Sequence, residues 1–253
     1  MSILNRRKSQ YDLQQMRIAA AITAQIVDEL GKMVAPGVSA AELENQARLR
    51  CQQEGVQPAF LGYEGYQYAL CLSVNDEVVH ALPTPDKVFK EGDVVSIDFG
   101  VVRNKYYSDH CRTFPVGKLS AIHDRLLKVG EEAVNNAVWL AVAGNKIGDL
   151  SHAMQSTAEN AGFSIVKYYV GHSIGKKLHE SPEIPAFGIA GKGLVLEKDM
   201  VICVECQVCE KGSELTHDRD GWTARTADGG YSVMFEHMVH VQNGEPEILT
   251  KLA

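Results

Sequence analysis

Two aspartates eleven residues apart, Asp98 and Asp109, lie in the stretch DVVSIDFGVVRNKYYSD that runs from Asp93 to Asp109. A polar break at Arg103-Asn104-Lys105 separates Val94 and Val95 from Tyr106 and Tyr107, which reads as two short strands joined by a tight turn. With Arg103 and Asn104 as the turn residues, partners across the ladder sum to 207 and Asp98 faces Asp109. Directly opposed side chains sit roughly 5 Å apart at Cβ, and like charges there are destabilising. A cation held between the two carboxylates is the simplest reason to keep them. The competing reading shifts the register by one or two residues and turns both acids into water.

Other residues could join such a site. In GHSIGKKLHESP, His172 and His179 are seven apart, and Gly171 and Gly175 argue for a bent loop rather than a helix that would align them. Glu205 sits in the middle of VICVECQV, where strand parity gives it the same face as Cys203 and Gln207. Glu236 sits in YSVMFEHMVHV among apolar neighbours. A carboxylate buried there must be paired, bound to a cation or neutral. Cys203, Cys206 and Cys209 spell C-x2-C-x2-C, an iron–sulfur or zinc spacing. Parity turns Cys206 away from the other two, however, and Ser213 stands where a ferredoxin spacing needs a fourth cysteine. No P-loop and no G-x-S-x-G elbow is present.

These residues need elements to position them. Leu13, Met16, Ile18, Ala20, Ile22, Ile26, Val27 and Leu30 recur at mostly helical intervals, predicting an amphipathic helix over Tyr11 to Met33, closed by Pro36-Gly37. Ser39 followed by Glu42 is a capping-box start for a second helix to about Glu54, stopped by Gly55. Strand and loop sequence leads to the hairpin. The second half repeats the plan, with helices over Leu126–Ala143 and from Ile147 to about Asn160, then strands. EGDVVSID and EKDMVICVE share Glu-x-Asp-x-Val and each ends on a carboxylate, so a weak two-fold internal repeat closing one site is the economical account.

With 253 residues, 45% hydrophobic and 23% charged, the chain can bury a sizeable core and has no composition of disorder. A net charge of −7 argues against a nucleic-acid-binding surface over the whole protein. No apolar run follows Arg6-Arg7-Lys8 as a secretory signal would require, and none is long enough for a membrane span. A soluble cytoplasmic protein with six reduced cysteines is the expectation.

Taken together, the two aspartates, GH at His172 with His179 beyond it, and two glutamates each in a strand resemble the five-ligand signature of the methionine aminopeptidase family. The likeness extends from FLGYEGY at Phe60 through SVNDEVVH at His80, the hairpin, GHSIGKKLHE, DGWT at Trp222 and FEH at Glu236. The spacing of 31 positions from Glu205 to Glu236 looks like the type 1 enzymes and leaves no room for the type 2 insertion. The resemblance implies the α+β pita-bread (creatinase/aminopeptidase) fold, with pseudo-two-fold halves about a curved antiparallel sheet. It implies a single catalytic domain over 1–253, its halves at about 11–120 and 121–250.

The resemblance also implies roles. Asp98 would chelate one divalent ion, Asp109 and Glu236 would bridge two, and His172 with Glu205 would complete the second. Oxygen-rich sites with one imidazole suit cobalt, manganese, iron or zinc. Glu205 would double as general base, with His80 and His179 bonding substrate and intermediate. Phe60, Tyr63, Tyr66, Cys71, Leu178 and Trp222 would line the methionine pocket beside those histidines. The family usually has Pro where Cys206 stands, Gly at Ser173, Cys at Phe60, Phe at Leu178 and His at Glu64. The expected activity is removal of the initiator methionine when a small residue follows, by a monomer acting on nascent N-termini, with the basic cluster at Arg6 as a candidate ribosome contact. The alternatives are a same-fold aminopeptidase with a different first-residue preference and a peptide-binding module that has lost catalysis.

Overall fold

The computed structural model describes residues 7–252. Helix α1 (Gln10–Met33) starts at a capping box: Ser9 N–H donates to Asp12 Oδ2 at 2.8 Å and Asp12 N–H returns to Ser9 Oγ at 3.2 Å. Helix α2 (Ala40–Glu54) starts at Ser39, whose N–H and hydroxyl both donate to Glu42 Oε2 at 2.8 Å, and stops at Gly55, whose φ of +66° closes the last turn. Helix α4 (Ile147–Asn160) falls where its periodicity put it. Helix α3 runs Ala121–Val138 rather than Leu126–Ala143. The Ser120 hydroxyl accepts the His123 N–H at 3.2 Å and starts the helix early, before the apolar period is visible.

One antiparallel sheet supports the rest. Its strands are β1 (Leu70–Val74), β2 (Val94–Phe99), β3 (His110–Pro115), β4 (Gly171–Ser173), β5 (Glu180–Ile184), β6 (Val201–Cys209) and β7 (Ser232–His240). They lie in the order β5-β4-β6-β7-β3-β2-β1, with Ser164–Ile165 added on β6 and Glu247–Ile248 on β7. Strands of the first half are thus on one side and those of the second half on the other, meeting where β3 pairs β7.

Period-two sorting divides the sheet faces. Leu70, Leu72, Val95, Ile97 and Phe99 pack against Ile26, Val27 and Leu30 of α1 and Leu43 and Ala47 of α2. Val204, Cys206, Val208, Val233, Phe235 and Val239 pack against Val134 and Val138 of α3 and Leu150 and Met154 of α4. The intervening residues, the acidic ones among them, fall on the opposite face. The curled sheet with four helices on one side is the α+β pita-bread architecture.

The hairpin register differs from the sequence-based expectation. Its turn is Asn104-Lys105, with φ of +51° and +70°, and Val102 pairs Tyr107. Two successive left-handed residues are what a two-residue type I′ hairpin needs. Asp98 therefore opposes Cys111, two positions beyond Asp109. A shift of two preserves parity, so both aspartates still share a face as diagonal neighbours, and neither points into bulk water.

Candidate metal centre

The register aligns five side chains in one row across the sheet. Cys71 of β1 opposes Asp98 of β2, Asp98 opposes Cys111 of β3, Cys111 opposes Glu236 of β7, and Glu236 opposes Glu205 of β6. Asp109, just ahead of β3, enters the same face. Gly100 permits this: a Cβ there would sit 2.2 Å from the Ser108 carbonyl oxygen, so only glycine lets the chain before Asp109 come this close. His172 arrives from β4, where the Ser173 hydroxyl, in place of the usual glycine, donates to Val201 O at 3.0 Å and ties the strand to β6.

Asp109, His172, Glu205 and Glu236 are buried, and Asp98 is half-buried. Asp98 Oδ1, Asp109 Oδ1 and Glu236 Oε1 have neither solvent nor a hydrogen-bond partner. An orphaned buried acceptor costs about 1–3 kcal/mol, more when charged. Three of them on one face of the sheet, two from residues whose donors cluster, fit a bound cation. One ligand atom each from Asp109, His172, Cys203 and Glu236 lies within 4.8 Å of all the others. His172 Nδ1 donates to Ser173 O at 3.1 Å, which leaves Nε2 facing Asp109 Oδ2 at 3.8 Å. This contact is not an ion pair, because burial pushes the imidazole down to about 3 and keeps it neutral.

Burial, followed by mutual repulsion, lifts Asp109, Asp98 and Glu236 above the ordinary carboxylate range. Burial likewise lifts Glu205, which accepts a bond from Gln207 Nε2 at 2.9 Å. Carboxylates kept this close without an ion bind protons instead. The residues present therefore fit divalent cations.

Over this floor opens a cavity of about 320 Å³, and every pocket residue anticipated from sequence lines it: Phe60, Tyr63, Tyr66, Cys71, His80, Leu178, His179 and Trp222. The His179 ring stands edge-on to His172 at 4.4 Å, and its Nδ1 is 2.8 Å from Tyr63 Oη. His80 holds a left-handed backbone, φ +57°, that a non-glycine residue adopts only under constraint, and burial pushes its imidazole down to about 4.

Some readings do not assemble. Cys206 faces the α3–α4 core while Cys203 and Cys209 lie on the other face, separated by about 20 Å of strand. No iron–sulfur site forms there. Where a proline is usual, the nine-residue β6–β7 ladder runs unbroken through Cys206. Of the basic terminus, Arg6 lies outside the described residues, while Arg7 and Lys8 pair with Glu197 and Glu180. Sequence reasoning missed Tyr168 and Tyr169 in the cavity wall, where Tyr169 stands edge-on to His80 at 5.1 Å. No pattern marked them. It also missed Cys203 as a donor, although its parity with Glu205 was already visible.

Comparisons with known proteins agree with this geometry. The chain is 41% identical over 252 residues to a methionine aminopeptidase of Aquifex aeolicus, covering 96% of this chain and 98% of the relative. It is 38% identical to methionine aminopeptidase 1 of Bacillus subtilis, covering 97% and 98%. The crystal structure of a methionine aminopeptidase from Thermotoga maritima superposes with a TM-score of 0.96 at 40% identity, covering 97% and 99%. A prolidase from Pyrococcus furiosus, 22% identical with a TM-score of 0.78 and covering 99% of this chain and 66% of its own, shares the fold. The sequence model of metallopeptidase family M24 matches residues 14–243, and the chain belongs to that family, among its methionine aminopeptidases.

Proposed function

We infer that the chain removes N-terminal methionine from peptides and nascent proteins when a small residue follows, using divalent ions held by Asp98, Asp109, His172, Glu205 and Glu236. The observation that carries this is the convergence of orphaned carboxylate oxygens and a neutral imidazole beneath an apolar cavity. Two ions, of cobalt, manganese, iron or zinc, would be held by these five residues. Such ions, when bound, supply Lewis acidity to the scissile carbonyl and acidify water.

The chain's own residues do the rest. Glu205, steadied by Gln207, takes a proton from the attacking water and returns it to the departing amine. His80 and His179 are held neutral by burial, so each can donate an N–H to the substrate without burying a charge. Phe60, Tyr66, Leu178 and Trp222 exclude water and receive the methionine side chain, whose sulfur packs well against aromatic edges.

The fold reads as a single domain of two pseudo-symmetric halves, about 11–120 and 121–250, a reading supported by the side-by-side placement of their strands. Free cysteines at all six positions suit a reducing cytoplasm, and among the described residues no helix is long and apolar enough to cross a membrane. We take the working species to be a monomer. Of the described basic residues, Lys8 is largely buried in its ion pair with Glu180 while Arg7 stays exposed beside Glu197 and could still meet a ribosome.

The test is cleavage of Met-Ala-Ser by chelated and metal-reconstituted protein. Metal-dependent release of methionine is expected; an intact peptide together with no bound ion refutes the reading. A second reading, an altered first-residue preference, is favoured by Phe60 and Leu178, both buried in the pocket wall, and by Glu64 beside them. Profiling X-Ala-Ser peptides decides it: outright preference for methionine removes it. Loss of activity in Asp98→Asn excludes a non-catalytic binding module.

A further inference from the structure

Cys203 has no place in the ligand set proposed above, yet its position puts it with the donors. It lies two residues before Glu205 on the same face of β6, and its partner across the ladder is Met238, so Glu236 is its diagonal neighbour. The side chain is fully buried. Its Sγ lies within 4.8 Å of a carboxylate oxygen of Asp109, a carboxylate oxygen of Glu236 and a ring nitrogen of His172. The nearby Cys111 thiol, by contrast, is turned to Met234 O at 3.6 Å.

In a tetrahedral site with bonds of about 2.0–2.3 Å, donors stand about 3.3–3.8 Å from one another. Four donors already inside 4.8 Å need only small side-chain adjustments to close on an ion. Two of the oxygens in this cluster's residues, Asp109 Oδ1 and Glu236 Oε1, are buried without any partner, an independent sign that a cation belongs there.

We propose that Cys203 is a thiolate ligand of the ion held by Asp109, His172 and Glu236, giving a sulfur, nitrogen and oxygen donor set. The inference rests on the metal-dependent reading of the site and deepens it. On binding, the thiol loses its proton to solvent and one sulfur–metal bond forms; nothing is oxidised or reduced. Coordinating thiols are deprotonated outright. A thiolate among imidazole and carboxylates favours zinc or cobalt over manganese.

The test is X-ray absorption at the zinc edge on the zinc-loaded full chain. The expected result is a sulfur scatterer at about 2.3 Å beside nitrogen and oxygen at about 2.0–2.1 Å. The sulfur shell should vanish in Cys203→Ser and in Cys203→Thr, the latter a β-branched residue suited to the strand. Zinc affinity relative to manganese should fall by about 10- to 100-fold. Cobalt-loaded wild type should show a sulfur-to-metal charge-transfer band that both variants lack.

A wild-type shell of nitrogen and oxygen alone overturns the proposal, as does a sulfur shell that survives in Cys203→Ser. Peptidase activity on the same samples separates the two readings. A chain that cleaves Met-Ala-Ser with no sulfur shell overturns the thiolate alone, whereas a chain that binds none of zinc, cobalt, manganese and iron overturns both.

Discussion

Replacing Asp109 by asparagine should stabilise the ion-free protein and destabilise the loaded one. Oxygens of Asp109 and Glu236 lie within 4.8 Å, so two full charges there repel by at least about 3.5 kcal/mol at an effective dielectric near 20. An asparagine removes that repulsion but leaves a buried amide to satisfy, which costs about 1–3 kcal/mol. The net gain is about 0.5–2.5 kcal/mol, or about 1–10 °C at the 2–4 °C per kcal/mol expected for a chain this long. It should grow as pH rises, because burial and then the neighbouring carboxylates hold the Asp109 carboxyl well above the ordinary carboxylate range and so favour its protonated form at low pH. Ions at about one hundred times their dissociation constant should raise the wild-type stability by about 2.7 kcal/mol, and the variant far less. The two melting curves should therefore change order when metal is added, in scanning calorimetry of chelated and loaded samples. A variant that melts below wild type without ions at high pH, or that gains as much from metal, refutes the reasoning.

Three further outcomes follow from the site. In chelated wild type, the raised carboxylates stabilise the fold at low pH and lose that contribution as pH rises; the depressed His80 and His172 do the reverse, and their contribution is complete above about 6.5. The opposing slopes leave only the carboxylates acting above that pH, so the ion-free melting temperature should fall from about pH 6.5 to 8.5, and a flat profile contradicts this. Glu205→Gln should lower kcat about 10²- to 10⁴-fold while zinc still binds in a calorimetric titration; a loss under tenfold removes Glu205 as the base. Gly100→Ala should cost about 1–3 kcal/mol in urea unfolding and weaken ion binding, because its methyl group must displace the Ser108 carbonyl next to Asp109.

Much of the architecture was legible because it rests on local rules. The capping residue Ser39 and the apolar period of α1 located two helices to within a residue. Parity assigned Glu205 and Cys203 to one face before any coordinate was known. The hairpin register was not legible, because Asn104-Lys105 takes the turn that glycine would have advertised, and lysine carries no such signal. Nor could sequence bring Tyr169 to His80 or His179 to His172, since these contacts depend on how distant strands curl around the cavity. The helix end misjudged at α3 reflects the same limit: Ser120 starts it locally, whereas the apolar period marks only the buried part.

The transverse row from Cys71 to Glu205 also encodes the alignment of the sheet. A slip of one residue on β2, β6 or β7 would trade Asp98 for Ile97 or Phe99, Glu205 for Val204 or Cys206, or Glu236 for Phe235 or His237, driving charge into the helix-facing core. Hydrophobic sorting thus rejects every odd misalignment. It cannot reject a slip of two, which leaves all the faces correct and only takes a carboxylate out of the row. The ion can, because its donors must meet at one point. Metal binding by these residues would therefore single out the native pairing among the even registers that hydrophobic sorting accepts alike.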